Sequence, residues 1–466
     1  MPWTNENKKK KTKAHNELVS LYLYVHRLLL LLLLPHFALA QKPGVVIDTL
    51  RCKDISSQSY ALYLPASYTP GKSHGVILIF EPGGAGKFPV ELYQPLADKY
   101  NIILACSNNS RNGSLDHSIF AGNSMLDDLL ARFNIDKSLI LTSGFSGGGR
   151  VAVQMAVSRP GIAGIIACGA AFPSPNAIVR SKPVPFAEVI GQLDMNYQEA
   201  LTASAYLKSI ENPSSLTYFF GGHQWPPLEA YEQALAWHLL RKNKLDASEV
   251  FANRITLVKQ QLDSGHVYEA NRQLSQMRSD FNEQKQIESI DSLLGSLRKD
   301  KRLKSEMKEV GSSNSREIEM QKEFRTRYGQ HMAYAAPDSA YHPEYWKNYR
   351  RECDKMIASG GHKKLAGLRL IDYGWRMCSE QHFVFLEYAQ YRNAAMGARI
   401  WSLVMPNWVR PCVQAAKAFA LQKRKPETME YLKMAVARGL KDKQAVRNDP
   451  AFVEYANDEQ FLSILR

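Results

Sequence analysis

"LILTSGFSGGGR", Leu139 to Arg150, sets Ser146 among four glycines at the end of an apolar run. Such a stretch can cradle a phosphate, turn a tight corner, or present a nucleophile. A phosphate loop needs G-x-x-x-x-G-K-[ST], and no lysine follows these glycines. The other glycine loop, "EPGGAGKF" (Glu81–Phe88), does contain Gly86-Lys87. It carries Glu81 where the first glycine belongs and Phe88 where a magnesium-binding hydroxyl belongs, so it fails as well. Gly144-Phe145-Ser146-Gly147-Gly148 does match G-x-S-x-G, between an apolar strand-like run and a helical stretch. A nucleophile on so sharp a turn adopts an unfavourable backbone conformation with neighbours crowding both sides. A β-carbon at Gly144 or Gly148 is expected to clash. The helix N-terminus beyond would favour an oxyanion, with the Gly147 N–H directed at it. A plain strand-to-helix turn with Ser146 as its N-cap remains the alternative.

A serine hydroxyl needs a histidine to take its proton and a carboxylate to orient that histidine, in the chain order Ser, Asp/Glu, His. "VIGQLDMNY" places Asp194 just past the apolar run Phe186–Gly191, and "FFGGHQWPP" places His223 just past Leu216–Phe220. Sites in open α/β sheets collect at the carboxyl ends of strands. Ser146, Asp194 and His223 are therefore the expected catalytic set. Gly147 is the first expected oxyanion donor, and Gly84 and Ala85, in the glycine loop after Gly75–Phe80, are candidates for the second. Phe145 and Trp225 are expected beside the substrate pocket, Trp225 with a core role as its alternative. Asn196 and Tyr197 are expected to settle the loop of Asp194. No metal or organic cofactor is implied.

The same alternation extends across residues 41–245. Ser59–Tyr68 alternates like an edge strand. Gly75–Phe80, Asn101–Ser107, Leu139–Gly144, Gly164–Ala171, Phe186–Gly191 and Leu216–Gly222 read as strands, mostly buried runs. Asn123–Phe133 has helical spacing with Asn123 as its expected N-cap, and a helix follows Ser146. Strands alternating with helices specify a mostly parallel, doubly wound α/β sheet.

Beyond Trp225-Pro226-Pro227 the strand signals fade, and residues 246–466 read as an all-helical half. "SGHVYEANRQL" (Ser264–Leu274) has the shape of a tetratricopeptide-type hairpin turning at Gly265. Ala415–Leu440 has the same shape, with Pro426 opening its second helix. No clean period runs through 283–400, so a regular array is not expected. "GSSNS" (Gly311–Ser315) is the expected break.

Taken together, Gly144–Gly148, "GQLDMNY" and "GGHQWPP" resemble the α/β-hydrolase superfamily, and within it the polyhydroxybutyrate-depolymerase-like, feruloyl-esterase-like and dienelactone-hydrolase-like branches. "SYALYLPASY" resembles the entry hairpin of that group and "SNNSRNG" (Ser107–Gly113) a loop near its site. The likeness covers about residues 45–245. It implies an α/β-hydrolase fold, with Ser146 as nucleophile, Asp194 as orienting acid and His223 as base, acting on a small-molecule or polymer-linked ester. Glu81-Pro82 departs from the usual opening of the oxyanion loop and leaves its donor open. A prolyl-oligopeptidase-type peptidase shares the elbow, but the stretch before Ser59 has no room for its propeller. A binding protein whose helical half engages a protein partner, with a secondary or inactive hydrolase half, is the rival of another class.

The first 40 residues read as a cleaved export signal. Lys8–Lys11 and Lys13 form a basic start, Leu28–Leu34 an unbroken apolar run, and Ala38-Leu39-Ala40 a small-residue site. Left uncleaved, the segment would act as a membrane anchor. It holds six Lys/Arg and two Glu, so its removal takes the net charge from +14 to +10. That basic balance lacks zinc-ligand spacing or a ribonucleoprotein-type aromatic motif, and no nucleic-acid partner is expected. None of the six cysteines shows C-x-x-C spacing. Cys106 and Cys168 lie in strand-like runs and read as core.

Overall fold

The computed structural model describes residues 41–174, 177–281, 286–333 and 341–466; the leader reading and its cleavage site lie outside them. The apolar runs of the first half form one eight-stranded sheet. Its strands are β1 (Val46–Arg51), β2 (Ser59–Tyr63), β3 (His74–Phe80), β4 (Ile102–Ser107), β5 (Ile135–Phe145), β6 (Gly164–Cys168), β7 (Phe186–Gly191) and β8 (Ser214–Phe219). They lie in the order β1-β2-β4-β3-β5-β6-β7-β8. β2 runs antiparallel to both neighbours, and β3 to β8 are parallel. This is the α/β-hydrolase topology.

Both faces of the sheet are covered, which is why its central strands read as continuous apolar runs. Val76, Leu78 and Phe80 of β3 pack on one face with α2 (Leu115–Arg132) and α3 (Gly147–Ser158). Ile77 and Ile79 alternate to the other face, under α1 (Lys87–Tyr100) and α5 (Leu228–Arg241). A further helix, α4 (Tyr197–Ser209), follows β7. Because β3 to β8 are parallel, the loops after β3, β4, β5, β7 and β8 all gather at one edge, and the site is built there.

The second half is helical: α6 (Ala247–Asp263), α7 (Val267–Asp280), α8 (Ile287–Leu297), α9 (Lys301–Met332), α10 (Pro343–Ala358), α11 (Gly361–Glu387), α12 (Tyr391–Val404), α13 (Val409–Ala420) and α14 (Lys425–Ala437). Short turns α15 (Lys443–Arg447), a 3-10 segment (Pro450–Tyr455) and α16 (Glu459–Ile464) close the chain. Gly265 makes the α6–α7 turn at φ +79, and Pro426 stands in the first turn of α14. Among the described residues no helix is long and apolar enough to cross a membrane.

Two sequence expectations are corrected, and one strand had no reading in the sequence. "GSSNS" does not break the chain but lies inside the 32-residue α9. Ser313 there is buried, and the Asn314 carboxamide accepts from Gln198, so packing overrides the weak helix propensities. Asn123 is interior to α2, whose N-cap is Ser114, its hydroxyl accepting the His117 N–H. β1 escaped the pattern because its pairing with β2 shifts register between Ile47 and Leu50, and that bulge destroys the alternation. All six cysteines are buried and unpaired, Cys106 in β4 and Cys168 in β6.

Candidate active site

β5 ends in the turn quoted above, and Ser146 there has φ 53 and ψ −121. A non-glycine residue in such a conformation stores about 1–3 kcal/mol of strain, which its surroundings must hold in place. The Ser146 N–H donates to the Cys168 carbonyl at 2.8 Å, and its own carbonyl accepts from Gly149 at 2.9 Å, fastening the turn to β6 and α3. The glycines are required by space. A β-carbon at Gly144 would meet Gly148 backbone and stand 2.8 Å from the Phe80 carbonyl oxygen. One at Gly148 would fall on that same oxygen, well inside contact distance.

The structure brings Ser146, His223 and Asp194 into one line. His223 Nε2 is 2.9 Å from Ser146 Oγ, and its Nδ1 lies 2.9 and 3.0 Å from the two carboxyl oxygens of Asp194. An ionised carboxylate only accepts, so Nδ1 carries the hydrogen and Nε2 turns a lone pair to the serine. The His223 and Asp194 side chains are 5% and 1% exposed. Asn196 supports them twice: its N–H donates to Asp194 Oδ1 at 2.8 Å and its side chain donates to the Gly169 carbonyl. The Tyr197 N–H donates to the Asp194 carbonyl.

Phe145 packs on the imidazole and Trp225 packs on Phe145. The Phe145 ring centre is 4.6 Å from that of His223 and 5.5 Å from that of Trp225. Trp225 stands edge-on to Tyr93, whose hydroxyl donates to the Pro226 carbonyl, so the pair joins His223 to the core over α1 and α5.

Gly147 opens α3, and its N–H makes no hydrogen bond among the described residues. Gly84 and Ala85 do not offer such donors, which corrects the reading of that loop. Gly83 and Ala85 both donate to Glu81 Oε2, at 2.7 and 2.8 Å, and Gly84 donates to the Glu81 carbonyl. Glu81 thus engages the amides of Gly83, Gly84 and Ala85. The loop turns instead toward Asn108 and Arg111.

The helical half reaches this edge, which sequence reasoning missed. Arg369 of α11 donates to the Gln192 carbonyl at 2.8 Å and pairs through two nitrogens with Glu317 of α9. Glu317 also accepts from Gln198, and Gln321 donates to the Met195 carbonyl. Arg272 of α7 donates to the Tyr197 hydroxyl. On α11, Asp372 and Arg376 follow at the helical spacing that keeps them near the face of Arg369. Burial lifts the Asp372 carboxyl above the ordinary range, opposed first by Arg376 and, more weakly, by His223. No local pattern marks Arg369, because its partners lie far away in the chain. Among the described residues no cluster of His, Cys, Asp and Glu is arranged to hold a metal ion.

No family model and no curated protein matches this chain. Solved structures do. S-formylglutathione hydrolase from Staphylococcus aureus matches at 14% identity over 42% of this chain and 95% of its own, TM-score 0.35. An esterase from Thermogutta terrifontis matches at 15% identity over 44% and 97%, TM-score 0.35. The Pyrococcus horikoshii acylaminoacyl peptidase matches at 13% identity over 43% of each chain, TM-score 0.33.

Proposed function

We propose that this protein is a serine hydrolase that cleaves carboxylic esters through an acyl-enzyme. The observation that carries the reading is the hydrogen-bonded line Asp194–His223–Ser146, ending on a serine held at positive φ. His223 Nε2 takes the Ser146 proton as Oγ attacks the ester carbonyl. The carbonyl pair moves onto oxygen, where the Gly147 N–H meets it. Collapse expels the alcohol, which takes the proton from Nε2. Water, deprotonated by His223, then releases the acid and frees Ser146. Asp194 holds the imidazole in the required tautomer throughout. The helical half serves as wall and brace for this site, and export through the basic, leucine-rich leader completes the proposal.

The test is covalent labelling with a fluorophosphonate, wild type against Ser146→Ala. Labelling of the wild type alone is expected. Equal labelling of both removes Ser146 from the role, and labelling of neither favours the binding-protein reading. Turnover of p-nitrophenyl esters beside p-nitroanilide peptides separates an esterase from a peptidase; faster ester turnover is expected.

A further inference from the structure

With Gly83, Gly84 and Ala85 bonded to Glu81, and with Pro82 lacking an N–H, residues 82–85 offer an oxyanion no free amide. The loop after β4 supplies a group in place. The Asn112 N–H donates to the Pro82 carbonyl at 2.8 Å, which ties this residue to the loop after β3. Its side chain crosses to the other wall, where it occupies the space a β-carbon at Gly147 would need. Asn112 therefore spans the gap between the β3 loop and the turn that bears Ser146. This also explains why the residue after the serine is glycine: any side chain there would displace the carboxamide.

The Asn112 side chain is solvent-exposed and makes no hydrogen bond among the described residues. Its terminal torsion is free to turn, and a half-turn exchanges Oδ1 with Nδ2 on the side facing Gly147. We propose that the Asn112 Nδ2–H is the second oxyanion donor, acting beside the Gly147 N–H; the proposal rests on the serine hydrolase reading above. When the Oγ–C bond forms and the carbonyl electron pair moves onto oxygen, the two N–H groups receive the charge from adjacent walls. When the C=O re-forms, the pair returns and the alcohol leaves with the proton of His223 Nε2. A side-chain amide thus replaces the backbone amide that Glu81 has taken.

The test compares Asn112→Ala, Asn112→Asp and wild type on p-nitrophenyl acetate, together with affinity for an arylboronic acid that forms a tetrahedral adduct on serine. Loss of one oxyanion donor lowers kcat by about 10²–10³-fold. The alanine variant is expected to fall in that range, with KM changed less than about threefold on the same ground and boronate affinity falling in parallel. Asn112→Asp keeps the shape but cannot donate when ionised, so it is expected to fall at least as far. It also carries the test if the alanine variant does not fold. A kcat within about threefold of wild type in a folded variant overturns the proposal, since a lost donor is worth far more. So does a loss of kcat with boronate affinity intact. Ser146→Ala, run alongside with the fluorophosphonate, isolates the parent reading: if it still labels, the serine assignment fails whatever Asn112 does.

Discussion

Arg369 and Gln192, 177 residues apart in the chain, meet in a 2.8 Å hydrogen bond from guanidinium to backbone carbonyl. Gln192 lies two residues before Asp194, so a helix of the second half holds the loop that orients His223. The Arg369 and Glu317 side chains are 4% and 0% exposed, and the pair is further bonded by Gln198. Removing one member strands a buried charge. Arg369→Ala and Glu317→Ala are each expected to lower stability by about 3–5 kcal/mol. The apolar double variant Arg369→Met/Glu317→Leu is expected to lose less than the two single losses combined, read by urea unfolding. Additive losses would count against a coupled pair.

Two glycines give opposite predictions. Gly148→Ala puts a β-carbon onto the Phe80 carbonyl and forces the start of α3 from the end of β3 beside the serine. A loss of at least about 2 kcal/mol, and of fluorophosphonate labelling, is expected from such a backbone clash. Gly311 lies inside α9 with nothing within 4 Å of its β-carbon position. Gly311→Ala is expected to raise stability by about 0.5–1 kcal/mol. Thermal melts of the two proteins decide both.

His238 is buried in α5 with its Nε2–H donating to the Ile165 carbonyl, and burial holds its pKa down to about 4. The unfolded chain takes up a proton below about 6.5 while the folded chain does not. Stability is therefore full above that value and falls as pH drops from 6.5 toward 4, by about 3 kcal/mol at the lower limit. In His238→Gln this slope is expected to flatten. Denaturant midpoints at pH 4.5 and 7 measure the difference; an unchanged slope would assign the titration elsewhere.

Glu188 behaves in the opposite sense. It is buried in β7 with neither carboxyl oxygen bonded, and burial, reinforced by Glu199 and Asp194, raises its pKa well above the ordinary range. The folded state keeps its proton where the unfolded state has lost it, so stability falls as pH rises above the ordinary glutamate value. Glu188→Gln never ionises and is expected to gain more stability at pH 8 than at pH 5. Equal gains at both values would show that shape, and not protonation, governs this site.

What was readable in the sequence was local. The strand runs are apolar because both sheet faces are covered, and the strand-ending loops with Ser146, Asp194 and His223 follow from a parallel sheet whose strands end together. The GSSNS stretch misled because its helix depends on Gln198 and on packing from another half of the molecule. Gly84 and Ala85 misled because a glycine-rich loop shows that amides can approach a substrate, but not that a glutamate three or four residues earlier will bind them. Asn112 and Arg369 left no signal, since each acts across segments whose pairing appears only once the chain is folded.

The braces on the Asp194 loop also set an order in time. The sheet is complete once Phe219 has left the ribosome, yet the partners of that loop at Arg272, Glu317, Gln321 and Arg369 are still to be made. At roughly 5–20 residues per second, Arg369 follows Gln192 by on the order of ten to forty seconds. For that interval the nascent sheet carries its serine and histidine with the acid's loop unbraced, and helices made later secure chemistry that the sheet has already assembled.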